Sequence, residues 1–520
     1  MKDIFLWSEK VFPCETAITD ALGNSWSFEQ LNNFSRSVCE SYAKLAAIRK
    51  GDRVGWLSLE ASAPLLSLSF GVRKMGAVPV IMNSRSSAER IAWMINNVGM
   101  KVLAYSAECR GLLERVQAIG LPSVKQYIAI GESANIPGEV LLADIYTEFS
   151  NAKEPEVKIS PEELCFISYT SGTTGRPKPV IHLEDEWTWT AQMMAHVLGL
   201  THKDVTLVGM PPSFVGWAHV TCASLRVGAK QSAFRFEARR FLDTMAREKG
   251  THALLSPTLV RILYSERQKQ PGAWITDSLR VCAFGGEPVT ADVHSKFEEM
   301  FPNVARLTSL GATEGILLHS GVGNSYIIDH VGAIGKPLPG VTVELRDEDT
   351  GDVISESGKR GVLYARGPGI SAGIWNDAKA TAENFPEGWW RTGDMLERDE
   401  SGYFIFAGRS DHMFKSGNIK VYSEDVEAKL KMHPAVLDAV VVAVSDSTFG
   451  FVPFAFIRHS SRVEVEEMEG WWLENSFERY TRPRHWKLWG ESSFPMVTDV
   501  KIDRRTLASM AEELVKEGAA

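Results

Sequence analysis

Positive charge is not in excess here: 56 Lys and Arg stand against 65 Asp and Glu, a formal net charge of −9 at pH 7. That balance offers no overall field for a polyphosphate backbone, so nucleic acid is not an expected partner. Cysteine is sparse, and its six positions, 14, 39, 109, 165, 222 and 282, never fall at a Cys-x-x-Cys spacing. They read as small buried hydrophobes in a reducing compartment, with neither a disulfide frame nor structural zinc. No run approaches the roughly 18 apolar residues that cross a bilayer. The opening MKDIFLWSEK carries four charges and no apolar core of a secretory signal, which points to the cytoplasm. The loop order GxxxxGK[ST] of the common kinases and ATPases is absent as well.

The remaining text is that of an ordinary globular protein, with 44% hydrophobic and 23% charged residues among 520. At roughly 150 residues per domain, this length asks for about three folding units. Ser27 and Gln30 have capping-box spacing, and Leu31, Phe34, Val38, Tyr42 and Leu45 follow at helical intervals. RVGWLSLE (53–60) and VPVIMN (78–83) read as strands flanking a helix, and the alternation returns at 205–210, 252–256 and 280–284. Strand, helix, strand implies a parallel sheet in a layered α/β architecture. The texture changes near 400. A helix is expected from Ser423, a buried strand over LDAVVVAV (437–444) and a terminal helix over 506–515. We therefore expect a large α/β domain over 1–410 and a small α+β domain over 411–520, with NAKEPEVKISPEEL (151–164) as a surface connection.

The strongest local signal is YTSGTTGRPKP (169–179), directly after the strand-like LCFIS (164–168). Gly172 and Gly175 among the hydroxyls of Thr170, Ser171, Thr173 and Thr174, with Lys178 adding charge, make a loop of N–H and O–H donors suited to a triphosphate. Its plainer reading is a Ser/Thr/Gly linker. His182, close by, reads as a structural histidine.

Further motifs follow: FGGEP (284–288), LGATEG (310–315), WWRTGD (389–394), GRSD (408–411) and PMVTDVKIDRR (495–505). Together with 169–179 they resemble, in order, the motifs of the adenylate-forming superfamily of acyl- and aryl-CoA synthetases, luciferases and peptide-synthetase adenylation domains. The resemblance covers about 160–507 and implies an enzyme that uses ATP and Mg²⁺ to form an acyl adenylate and pyrophosphate, then passes the acyl group to CoA. It implies that Thr170–Gly175 and Lys178 bind the phosphates and that Gly286, Glu287, Pro288, Leu310 and Gly311 lie along the adenine. It further implies that Thr313 bonds the α-phosphate, Glu314 holds the metal, Asp394 and Arg409 take the ribose, Asp411 is the hinge of a mobile lid and Lys501 is the catalytic lysine. Ser416, Gly417 and Asn418 would border the acceptor tunnel. The chemistry is self-consistent, because a carboxylate attacking the α-phosphorus needs charge neutralised on both sides of an in-line transition state. Three positions depart from the family pattern. Leu310 replaces an aromatic, Pro179 a glycine after Lys178, and Val500 a glycine before Lys501.

MPPSFVGWAHV (210–220) corresponds to the stretch that opens the family's carboxylate pocket. Val215 offers no partner to an α-ammonium, which disfavours amino-acid substrates. Phe214, Trp217, Gly285, Ser309, Gly315 and Ile316, with Leu310 and Gly311, are the wall candidates, an apolar set that suits an aromatic, alicyclic or medium-chain acid. Ordinary core packing is the competing reading of Trp217. An amide-forming ligase that hands the adenylate to an amine, and a catalytically silent nucleotide-binding scaffold, stay open as alternatives.

Overall fold

The computed structural model describes residues 2–21, 23–45, 48–170, 176–274, 277–417, 419–460, 463–475, 477–478, 481–490, 492–496 and 502–517, with side chains from Leu6 onward. Packing divides the chain into two compact units. One comprises residues up to 170 with 176–343 and 365–390, and the other comprises 344–364 with 391–520.

Two sheets build the first unit. In one, Val78–Ile81, Arg53–Leu57, Val102–Ser106 and Gln126–Ile130 run parallel, and Leu164–Tyr169 joins them beside Val78–Ile81. In the other, Thr16–Thr19, Lys230–Ala233, Val205–Val208, His252–Leu255, Val281–Phe284 and Ala305–Ala312 are successive parallel neighbours. Parallel strands buried on both faces favour continuously apolar text, as in Val281–Phe284 (VCAF), whereas Lys230–Ala233 (KQSA) is polar yet largely buried. Between the sheets lie the helices Phe28–Leu45, Ala63–Lys74, Glu184–Leu198 and Val215–Val227, whose Phe28, Leu68, Trp187 and Leu225 share one core with Trp56 and Val208. The capping box forms as its spacing implies: Ser27 N–H donates to Gln30 Oε1 at 2.9 Å and Gln30 N–H to Ser27 Oγ at 3.2 Å. Strand ends set the site. Parallel strands all deliver their C-terminal ends to one edge, where the following loops converge on a ligand.

In the second unit, the antiparallel strands Val436–Asp446 and Gly450–His459 carry the core, and the hairpin Met413–Ser416/Ile419–Tyr422 extends the sheet. The terminal helix Arg504–Lys516 packs Leu507 and Ala511 against Val440, Val442 and Phe456. Cysteine behaves as expected at five positions, whereas Cys14 is exposed. It stands in a turn ahead of the first short strand, where no second layer covers it. Among the described residues, no helix is long and apolar enough to cross a membrane.

Candidate active site

Tyr169 ends one strand and lies opposite Pro179 at the start of the next, so the segment between them is a hairpin connection and not a strand-to-helix turn. Its neck is closed twice: Thr170 N–H donates to the Lys178 carbonyl at 3.0 Å, and Lys178 N–H to Thr170 Oγ1 at 3.1 Å. Ser171, Gly172, Thr173, Thr174 and Gly175 lie outside the described residues. Pro179 falls on the first residue of its strand, where a missing donor harms the ladder least. The Lys178 ammonium donates to Asn384 Oδ1 at 3.1 Å, and Asn384 is itself fixed by donating Nδ2 to the Ala380 carbonyl at 2.6 Å. Nothing in the sequence marked Asn384. If this contact aims the lysine, Asn384→Leu should raise the Michaelis constant for ATP about fivefold with little change in kcat, the scale of one ordinary hydrogen bond of about 1 kcal/mol. A lowered constant would mean that the asparagine sequesters the lysine instead.

Leu310, Gly311 and Ala312 face Leu318, Ile316 and Gly315 across an antiparallel pair, which leaves Thr313 and Glu314 as its two-residue turn. Glycine is required twice here. A Cβ on Gly311 would approach the Gly315 carbonyl oxygen to 3.0 Å, and one on Gly315 would meet that of Gly369 at 2.6 Å. The turn rests on the segment that follows Gly369. Ile370 bridges Gly315, and Ser371 N–H donates to the Glu314 carbonyl at 2.8 Å. Two residues later, Gly373 and Ile374 pair with Ile181 and Val180, and Trp375 N–H donates to Pro179 O at 2.8 Å. One stretch, 370–375, therefore ties the Thr313–Glu314 turn to the exit of the 169–179 hairpin.

Gly285 follows the strand Val281–Phe284 at the same edge, and Gly286 adopts φ 84°. Gly286 and Pro288 are exposed, while Glu287 turns inward and accepts from Thr258 Oγ1 at 2.8 Å. Burial raises the Glu287 carboxyl pKa against the opposing effect of that bond. The side chain thus anchors the turn and leaves the backbone of the segment open. A Cβ on Gly285 would stand 3.6 Å from Ser309 Oγ and 3.9 Å from Leu254 Cδ1. Leu254 joins the candidate wall on that ground, unmarked in the sequence. Phe214 is half-buried at the cap of the helix Val215–Val227, and Ile316 is buried. Trp217 is 3% exposed and meets Trp56 edge to face at 6.3 Å, a core position. His182 is structural, at 1% exposure with Nδ1 2.6 Å from Glu186 Oε1 and its ring stacked on Phe166.

In the second unit, Asp394 and Arg409 are cross-strand partners, and Arg409 Nη1 donates to Asp394 Oδ1 at 2.8 Å. Arg409 Nε donates to Asp411 Oδ1 at 3.0 Å. Burial alone would lower the Arg409 pKa, but Asp394 and Asp411 raise it; burial would raise that of Asp411, but Arg409 and His412 hold it below the usual carboxylate range. Ser416 is buried and pairs with Gly450, while Gly417 takes φ 59° and donates its N–H to the Phe449 carbonyl at 2.7 Å. Asn418, Val500 and Lys501 lie outside the described residues. The basic cluster after Lys501 is not simply solvated: Arg504 donates to Glu427 Oε2 at 2.7 Å and to the Val441 carbonyl at 3.0 Å.

Among the described residues, no three His, Cys, Asp or Glu side chains are grouped to hold a metal ion. Mg²⁺ commonly takes one or two carboxylates and completes its shell with water and substrate phosphate oxygens. Glu314 stands in the two-residue turn of its hairpin.

Comparison with known proteins agrees with this geometry. The family model described as AMP-binding enzyme matches residues 5–375. A benzoate–CoA ligase of Thauera aromatica is 30% identical over 393 residues, 74% of this chain and 72% of that protein. A 2-succinylbenzoate–CoA ligase of Bacillus cereus is 26% identical over 488 residues, 94% of each. The crystal structure of an anthranilate CoA ligase in complex with anthranoyl-AMP superposes with a TM-score of 0.88 at 26% identity, covering 99% of this chain and 98% of that one. A family match over most of the length, from residue 5 to 375, places the chain in the AMP-binding enzyme family.

Proposed function

We propose that the chain is an AMP-forming acid–CoA ligase acting on an aryl carboxylate. A carboxylate oxygen attacks the α-phosphorus of ATP, pyrophosphate leaves, and the thiolate of CoA then attacks the acyl carbon and releases AMP. The observation that supports this reading is the stretch 370–375, whose backbone pairs both with the Thr313–Glu314 hairpin and with the strand after the 169–179 loop. Lys178 and Thr170 orient the triphosphate, Thr313 donates to the α-phosphate, and the open backbone of 285–288 receives the adenine. Mg²⁺ on Glu314 would neutralise phosphate charge as pyrophosphate departs. In the second unit, Asp394 and Arg409 serve the ribose, Lys501 serves the adenylation step, and 416–418 serve the acceptor step after the chain pivots at Asp411. The named relatives are CoA ligases, which favours CoA over an amine acceptor.

An aryl ring suits the wall of Gly285, Ser309, Leu254, Phe214 and Ile316. A Cβ at Gly285 would already stand in van der Waals contact with Ser309 and Leu254, so the branches of a larger side chain would extend from a position that is already in contact. Gly285→Val should therefore discriminate by substrate size, since overpacking costs about 1–3 kcal/mol, or roughly tenfold and more in kcat/KM for ring-bearing acids over acetate. An unchanged ratio would remove Gly285 from the wall. The reading as a whole is tested by ATP–pyrophosphate exchange across benzoate, substituted benzoates, aliphatic acids and amino acids, followed by product analysis with CoA and with amines. Exchange with aryl acids and a CoA thioester are expected. Exchange driven by amino acids, or an amide product, would contradict it.

A further inference from the structure

The two ends of the phosphate hairpin are gripped by one helix, Ala88–Asn97. On the entry side, the Tyr169 hydroxyl donates to the Met94 carbonyl at 2.8 Å and lies 3.1 Å from Asn97 Oδ1. The Tyr169 ring also meets Trp93 edge to face at 6.1 Å. On the exit side, the guanidinium of Arg176 sits 5.4 Å from the centroid of the same Trp93 ring. Trp93 thus stands between the residue before the loop and the first described residue after it. Arg176 is exposed, and among the described residues no carboxylate is paired with it. An aromatic face steadies a cation without neutralising it, because the ring quadrupole carries no net charge. Two residues on, Lys178 is oriented by an amide oxygen, again with its charge left intact. The exit of the loop therefore presents two cations, each held by a neutral partner.

We propose that Arg176, held on the face of Trp93, is a second cation for the β- and γ-phosphates of ATP, and that Trp93 is its positioning residue. The proposal rests on the reading of 170–178 as a triphosphate loop. A neutral support is what such a role requires: a carboxylate partner would have to be displaced before phosphate could bind, whereas an aromatic face stays in place.

Calorimetric binding of MgATP and of AMP separates this from a merely structural contact, since AMP lacks the two phosphates in question. Arg176→Gln should weaken MgATP about fivefold or more, the scale of one partly exposed charge contact, and leave AMP within about twofold. Trp93→Ala should act in the same direction, Trp93→Phe should recover most of the loss, and the Trp93→Ala/Arg176→Gln double variant should be no worse than Arg176→Gln alone. Should Trp93→Ala fail to fold, Arg176→Gln and Trp93→Phe carry the test. Equal weakening of ATP and AMP, unchanged ATP affinity in Arg176→Gln, or full additivity in the double variant would overturn the proposal. A wild-type chain that bound no MgATP would do so too. Wild-type protein that binds MgATP with the expected mutant pattern but shows no acid-dependent pyrophosphate exchange would leave the clamp standing and sink the ligase reading instead.

Discussion

Lys501→Ala should lower acid-dependent ATP–pyrophosphate exchange by about 10²–10³-fold, the usual consequence of removing one group aimed at transition-state charge. Transfer from a preformed acyl adenylate to CoA should keep most of its rate. The asymmetry follows from differential binding. A cation that meets charge developing at the α-phosphorus acts in the first transition state, and the second, at the acyl carbon, develops its charge elsewhere. Single-turnover assays of the two half-reactions measure both. Equal losses would mean that Lys501 supports the fold or both steps, and the pivot at Asp411 would lose its motive. Asp411→Pro is the complementary variant, since proline fixes φ near about −65° and restricts a pivot to poses that tolerate it.

The second large effect lies in the core and concerns how the phosphate hairpin is supported. Arg73 is 0% exposed and forms an ion pair with Glu184, itself 7% exposed. Its Nη1 donates to the Ala77 carbonyl at 2.8 Å and to the Leu164 carbonyl at 2.9 Å. One guanidinium thus joins the helix Ala63–Lys74, the first residue of the strand leading into the hairpin, and the first residue of the helix Glu184–Leu198. Burial lowers the Arg73 pKa, the mark of the cost of taking its charge out of water. Glu184→Leu should destabilise the first unit by about 3–5 kcal/mol, the common cost of leaving one member of a buried pair uncompensated. The double variant Arg73→Met/Glu184→Leu should be less damaged than Glu184→Leu alone, because apolar residues of similar volume remove the stranded charge. Chemical denaturation of the variants decides this. A double variant as unstable as the sum of the two single ones would show that the pair acts through packing alone.

Legibility followed range along the chain. The capping box at Ser27–Gln30, the strand before Thr170 and the terminal helix with Leu507 and Ala511 on one face all depend on residues a few positions apart, and such patterns print themselves in the sequence. Asn384 beside Lys178, Leu254 beside Gly285 and Arg73 beside Glu184 were not legible, because each contact closes over tens to hundreds of residues and no local pattern encodes its partner. Trp217 shows a second limit. A tryptophan in apolar text satisfies a core and a ligand pocket equally, and only the layer of helices between two sheets places it beside Trp56. Packing also joins 344–364 to the C-terminal part, through pairs such as Arg360 with Asp425 at 2.6 Å, which composition alone does not announce.

The central claim is that this chain makes a carboxylate attack the α-phosphorus of ATP. Benzoate labelled with ¹⁸O in both carboxylate oxygens, turned over with ATP, Mg²⁺ and CoA, tests it in one measurement. The account predicts one ¹⁸O in the phosphate of AMP, none in pyrophosphate, and a benzoyl thioester as the other product. Label in inorganic phosphate with ADP formed, or unlabelled AMP, would contradict it.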